Sequence, residues 1–336
     1  MIGLALSGGG SRAIAFHLGC LRALDDFGLL ERVDVLSTIS GGSVIGAYYA
    51  FTPKESFAEF ESSMRTVLER GFERAMLNRL LRTFASRTDV FEAVLRETMF
   101  GDLKVTSPRR RFEVVIGACD LRSGSAFRFG NSKSGSWRLG ELVEGNVDLA
   151  LAVAASAAYP LLLPTLDRKW NFRKDGAEQA RMVQLTDGGI YDNLGVQVLE
   201  PRRDPLFSVH TFECEYLIVC NAGHGQPTSA NVPRRIVPRL SRSFDVVHRR
   251  VQDSAMHRLH HLREAKIIKG FALPYLGQLD ELLPWLPSSL VSRSTVIGYP
   301  TDFRAMSEDW INRLSDRGEQ LTRLLVSHYL PTLLVP

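Results

Sequence analysis

At 336 residues the chain is long enough for one large domain or two small ones. Its hydrophobic content of 45% and charged content of 23% are ordinary for a soluble globular protein, and a formal net charge of +4 is too small to imply nucleic acid as a partner.

The opening "MIGLALSGGG" has no basic stretch and a very short apolar run, so it does not read as a signal peptide. Within it "IGLAL" reads as a buried strand, followed by the glycines Gly8, Gly9 and Gly10. The next segment, "SRAIAFHLGCLRALDDFG", reads as a helix. Ser11 is placed to cap it, Ile14, Leu18, Leu21 and Leu24 keep helical spacing, and Gly28 closes it. "VDVLSTI" is a second strand and "SVIGAYYAF" a second helix. Such a beginning predicts an α/β sheet with helices on both faces. Residues 54–110 change character: they are amphipathic and Arg-rich, and are expected to form a helical insertion over one sheet edge.

Beyond it, "RRFEVVIGACD" and "SAFRFG" flank "LRSGS" and predict a hairpin. Residues 149–158 read as a small-residue helix ending at Tyr159-Pro160. "WNFRKDGAEQARM" reads as a polar loop and "EYLIVCNAG" as a buried strand. Residues 240–268 form a basic helical stretch, "DELLPWLPSSLVS" is apolar and broken by prolines, and "MSEDWINRLSDRGEQLTRLLVSHYL" is a final amphipathic helix. The longest apolar run, residues 149–164, falls short of the roughly 18 residues a membrane span needs, and Pro160 interrupts it. A cytoplasmic location is expected, with any membrane contact made from outside. Cys20, Cys119, Cys214 and Cys220 form no C-x-x-C pair and no zinc-binding pattern, so they read as buried free thiols in a reducing compartment. No metal or cofactor is expected.

Three loops carry chemistry. In "STISGGS" a serine, Ser40, stands where a strand turns into a helix, crowded by Gly41 and Gly42. A nucleophile on so sharp a turn needs small neighbours, which is why hydrolases use G-x-S-x-G. Here Thr38 occupies the first glycine's place, so the literal motif is incomplete. In "LSGGGSRA" three glycines between strand and helix expose a fan of N–H groups that binds an anion. That anion is either the oxyanion of acyl transfer or a pyrophosphate, since residues 8–13 also match G-x-G-x-x-A. The dinucleotide reading wants an acidic residue at the end of the second strand, where Ser40 stands instead. In "QLTDGGIYDNLG" an aspartate, Asp187, follows a strand-like run and precedes Gly188 and Gly189, which let loops approach closely. A plain Asp-Gly-Gly turn is the alternative.

The serine's base has two candidates. A Ser-His-Asp triad would use His224, in "CNAGHG" after a strand. His248, His257, His260 and His261 read as solvated surface, and His17 as packing inside the first helix. Otherwise Asp187 takes the proton directly, with burial raising its pKa toward the working range.

Taken in order, "GGGSR", the serine elbow, "ASAAYP" and "DGGIYDNLG" resemble the patatin-like phospholipases, over about Gly3 to Gly223. "YPTDF" and the final helix resemble the family's C-terminal end. The resemblance implies a three-layer α/β/α sandwich with a mostly parallel central sheet, in one domain over residues 1–336. Its core pieces would be 1–53 and 111–223, with a basic and apolar C-terminal region at 234–336. It implies a Ser-Asp dyad of Ser40 and Asp187 with no catalytic histidine. It also implies an oxyanion loop of Gly8, Gly9 and Gly10 with Arg12 following it, and calcium-independent hydrolysis of acyl esters in phospholipids, lysophospholipids or neutral lipids.

Such a substrate comes from a membrane or micelle. Residues 234–269 carry ten Lys/Arg against three Asp/Glu, and Leu282, Leu283, Trp285, Leu286 and Leu290 offer an interfacial lip. The plain alternatives are a solvated helix face and a packing loop. A non-catalytic lipid-binding or scaffold protein on the same fold is the reading that Thr38 supports. An activator acting through the helical insertion is compatible with the sequence, which names neither that ligand nor an oligomeric state.

Overall fold

The computed structural model describes residues 1–52, 56–225 and 234–334. The expected division between residues 53 and 54 lies outside the described residues. Strand β1 (Ile2–Leu6) is buried along its whole length because it lies in mid-sheet. Helix α1 (Gly10–Asp26), strand β2 (Val35–Ile39) and helix α2 (Gly41–Phe51) follow in the predicted order, but Ser11 lies inside α1 and does not cap it, since Gly9 takes that place with no side-chain bond. Three helices then cover residues 57–95: α3 (Phe57–Arg70), α4 (Glu73–Leu80) and α5 (Arg87–Leu95). The predicted hairpin is β3 (Glu113–Asp120) with β4 (Ser125–Gly130), paired antiparallel.

Two short strands, β5 (Ser134–Ser136) and β6 (Gly140–Leu142), precede the small-residue helix α6 (Leu149–Ser156). The stretch expected to be a polar loop instead belongs to a second hairpin, β7 (Leu166–Lys174) and β8 (Ala177–Asp187). Asp175 and Gly176 make its turn with φ of 51° and 79°, the Asp-Gly signal of a tight hairpin. The first six residues of β8 are exposed, so the in-out alternation that marks a half-buried strand is missing there. The chain continues through α7 (Gly189–Asp192), β9 (Tyr216–Cys220), α8 (Ile236–Glu264), β10 (Gly270–Ala272), α9 (Arg293–Val296) and α10 (Glu308–Tyr329).

The sheet runs β10-β9-β1-β2-β3-β4-β5-β6-β7-β8, and β8 returns to pair with β3. It is therefore not mostly parallel. The first five strands of that order are parallel, and the pairings from β3 round to β8 and back are antiparallel and closed. Strands joined by short turns must run antiparallel, which is why the hairpin-rich middle of the chain makes this half.

Leu4 and Leu6 face one core with α1, α2, α10 and the helices of residues 57–95, while Ala5 faces a second. That second core is closed by Leu194, Val196, Val198 and Leu199 and by Ala255 and Leu259 of α8, a thinner cover than a full helical layer. α1 and α10 meet backbone to backbone: a Cβ on Gly19 would fall 1.7 Å from the Ser315 carbonyl oxygen, and one on Gly318 would fall 2.1 Å from that of Phe16.

Candidate active site

β3 sets the position of both candidate catalytic residues. Along one edge of it β2 pairs as far as Ile39 opposite Gly117, and there β8 takes over with Asp187 opposite Ala118. Ser40 is the next residue after β2, so the two strands deliver serine and aspartate to the same point from opposite directions. β1, flanked by β2 and β9, is where the strand order reverses, and in open α/β sheets such a crevice at the strands' C-terminal ends is the place for a ligand.

Ser40 has φ 53° and ψ −120°, a strained backbone that a non-glycine residue adopts only when its surroundings enforce it. Ser156 in α6 does much of the enforcing. Its hydroxyl accepts from the Ser40 N–H at 2.9 Å, donates to the Gly117 carbonyl at 2.6 Å and lies 2.8 Å from the Ser43 hydroxyl. Ser43 in turn donates to Thr38 at 3.0 Å. Gly41 and Gly42 keep the turn close to its neighbours: a Cβ on either would fall 2.3 Å from a carbonyl oxygen, of Gly10 and Leu6 respectively.

Ser40 and Asp187 are 6% and 4% exposed. Burial raises the Asp187 pKa from 3.8 to about 6, against the pull of the nearby Ser40 hydroxyl and of a hydrogen bond from the Gly189 N–H at 2.7 Å. The Asp187 and Gly188 N–H groups donate to the carbonyls of Ala158 and Ser156 at 3.0 and 3.1 Å, so "ASAAYP" and "DGGIYDNLG" are bonded to each other.

The glycine loop lies across the pocket from the aspartate. Gly8 donates its N–H to the Asn193 carbonyl at 3.0 Å and Ser11 donates to that of Asp302 at 2.7 Å. Between them Gly9 and Gly10, with φ of 145° and 61°, present N–H groups at the start of α1, where no intrahelical acceptor exists. Arg12 pins the loop from behind. It donates to the Ala222 carbonyl (2.9 Å), the Thr301 hydroxyl (2.6 Å) and the Tyr299 carbonyl (3.2 Å). Burial lowers its pKa to about 10, against the pull of Asp302 and Tyr275, so it stays protonated at neutral pH.

His224 lies beside this arginine, its Nε2 2.6 Å from Arg12 Nη1 and 2.7 Å from the Tyr299 carbonyl. Burial, and then Arg12, lower its pKa to about 4, so it is a weak proton acceptor. His248 is not solvated surface as expected: it lines the cavity with Ser40 and Asp187, stacks on Phe244 and lies near the Gly189 backbone. Ser156, Asn193 and His248 are the site residues that sequence reading missed.

A cavity of about 800 Å³ joins these parts. The glycine loop, Ser40 and Asp187 form its base, and α8 forms its roof through Phe244, His248 and Arg249, with Phe244 set edge-on to Tyr159.

A model of the family described as patatin-like phospholipase matches residues 4–199, more than half the chain and all three loops. The chain belongs to the patatin-like phospholipase family. A short stretch of it is similar to the patatin-like phospholipase domain-containing protein ZK370.4 of Caenorhabditis elegans, 48% identical over 58 residues, which is 17% of this chain and 4% of that protein. Among solved structures, human GIVD cytosolic phospholipase A2 superposes over 99% of this chain and 60% of its own, with a TM-score of 0.62 at 12% identity. The same human protein in complex with methyl gamma-linolenyl fluorophosphonate and terbium chloride gives a TM-score of 0.56 at 13% identity. At such identity the likeness is one of fold. This patatin-like chain thus spans about three fifths of the structure and a small fraction of the curated relative it matches.

Among the described residues no helix is long and apolar enough to cross a membrane.

Proposed function

We propose that this chain is a serine acyl hydrolase cleaving fatty-acyl esters of phospholipids, lysophospholipids or neutral lipids with Ser40 as nucleophile and Asp187 as base. The observation that carries this reading is the strained Ser40 turn placed in one cavity beside a buried aspartate of raised pKa.

Asp187, ionised above about pH 6, removes the Ser40 proton as the oxygen attacks the ester carbonyl. The Gly9 and Gly10 N–H groups, with the positive end of α1 behind them, stabilise the oxyanion. The tetrahedral intermediate collapses and expels the alcohol or lysolipid, which takes the proton from Asp187. A water then gives its proton to Asp187 and attacks the acyl-enzyme, releasing the fatty acid and regenerating the serine. Arg12 and Ser156 act by holding the loop and the elbow. Both reacting groups are side chains, so turnover is proposed to be independent of calcium.

Substrate enters from a lipid surface, and a cytoplasmic protein meeting membranes peripherally is the proposed setting. The support is α8, which roofs the cavity while Ile236, Leu240, Val246 and Val247 on it are 57–66% exposed among arginines. The Leu282–Leu290 segment, expected to be a second lip, supplies no residue to the cavity wall, although Leu282, Trp285 and Leu286 are exposed.

The test is a fluorescent fluorophosphonate, which traps an activated serine, followed by hydrolysis of a lipid panel with and without EDTA. Wild type should label and hydrolyse equally in both conditions, and Ser40→Ala should do neither. Labelling that survives in Ser40→Ala overturns the assignment. A fall of about 10³-fold or more in His224→Asn with a normal fold would favour the triad instead.

A further inference from the structure

Three ligand-type side chains that the proposed reaction does not use meet in the core. His17 and Cys20 stand one turn apart on α1 and Cys220 ends β9, and their ligand atoms all lie within 4.8 Å of one another. All three residues are 0% exposed, and both cysteines are free thiols. His17 Nε2 lies 2.9 Å from the Ser7 carbonyl, which can only accept, so Nε2 carries the hydrogen. That leaves the lone pair on Nδ1, which is buried with no nitrogen or oxygen partner among the described residues. A buried polar atom without such a partner is costly and calls for an explanation. With Nε2 held by a backbone carbonyl, Nδ1 is the imidazole nitrogen left to join the two thiols as a metal ligand.

We propose that His17 Nδ1, Cys20 Sγ and Cys220 Sγ form a binding site for one thiophilic d¹⁰ cation, Zn²⁺ or Cu⁺. Soft sulfur donors with one imidazole select these ions over Mg²⁺ or Ca²⁺. On binding Zn²⁺ both thiol protons leave to solvent, and two thiolates with a neutral imidazole make an electrically neutral centre, as a fully buried site requires. Cu⁺ suits a set of three ligands and needs one thiolate for neutrality. Metal–ligand bonds of about 2.0–2.3 Å put ligand atoms roughly 3.5–4 Å apart, so side-chain shifts of about 1 Å close the site. The first two ligands are close in sequence, but the third arrives from β9, which is why no sequence pattern announces the set.

The position gives the ion a structural role. The Ser7 carbonyl that orients His17 belongs to the residue before Gly8, and the Ser7 N–H donates to the Cys220 carbonyl at 3.1 Å. A bound ion would tie the ends of β1 and β9 to α1 directly beneath the glycine loop.

Because the ligands are buried, the ion has to enter as the chain folds. The full chain is therefore produced in medium supplemented with Zn²⁺, Cu⁺-generating copper, or neither, washed with EDTA to clear surface histidines, and its metal counted per chain. Expected is about one Zn²⁺ or one copper per wild-type chain, the arm that fills naming the ion. Cys20→Ser and His17→Ala should each retain at least tenfold less, with unchanged circular dichroism. Chain produced with Co²⁺ should show thiolate-to-cobalt charge-transfer absorption, a readout that needs no variant to fold. Wild type carrying under a tenth of an ion in every arm, or Cys20→Ser holding as much as wild type, overturns the site.

Discussion

The Thr38 methyl fills the space that a side chain at Gly46 would take: a Cβ on Gly46 would fall 2.5 Å from Thr38 Cγ2. The departure from G-x-S-x-G at the elbow is therefore matched one turn into α2, and Ser43 bonds the Thr38 hydroxyl as well. Gly41, the extra glycine after the serine, serves the approach to Gly10 instead.

This pairing predicts a rescue. Gly46→Ala should destabilise the fold by about 1–3 kcal/mol, because overpacking outweighs the helix propensity that alanine adds. Thr38→Ser removes the methyl and keeps the hydroxyl, so Thr38→Ser with Gly46→Ala should recover most of that loss. Urea denaturation of the four proteins checks it, and additive effects would sink the idea.

Asp187 predicts opposite effects on activity and stability. The carboxyl ionises near 3.8 when unfolded and near 6 in the fold, so the folded state holds a proton that the unfolded state has released between these values. The stabilising preference is complete below pH 3.8 and is lost as pH rises through 6. Asp187→Asn should abolish turnover yet be more stable than wild type at pH 8, by up to about 3 kcal/mol, with the gap closing toward pH 3. Wild-type kcat/KM should rise with pH through an inflection near 6. Thermal melts and a pH–rate profile measure the two halves.

Ser156→Ala removes the acceptor of the strained Ser40 N–H. A loss of about 1–3 kcal/mol is expected from the unpaired group. Fluorophosphonate labelling should slow at least tenfold while KM for a soluble ester changes little. Labelling at the wild-type rate would show that the elbow holds its shape without this bond.

Arg12→Lys keeps the charge but cannot reproduce a guanidinium fork reaching Ala222, Tyr299 and Thr301. It should cost about 2–4 kcal/mol and lower kcat with little change in KM. A variant as stable and active as wild type would remove the bracing role.

Much of the site was readable because its signals are local. A serine crowded by glycines, a glycine fan before a helix and an Asp-Gly-Gly run each bend only their own neighbourhood. What was not readable depends on distant pairings. No residue near β8 states that it lands on β3 beyond Ile39, and the exposed half of the second hairpin hides its strand. Ser156 sits in a run of small apolar residues whose packing accounts for its neighbours but not for its hydroxyl. His248 was misread because α8 is basic on several sides, which conceals the face turned to the cavity.

Ser40 follows a parallel strand and Asp187 ends an antiparallel one, and they adjoin where the two strands share one edge of β3. Neither half of the sheet holds both members of the proposed pair by itself. A nascent chain released before residue 187 would carry the serine, its turn and the glycine loop, and still be chemically silent. Under the proposed dyad, the junction makes reactivity a property of the closed sheet and of no smaller piece of it.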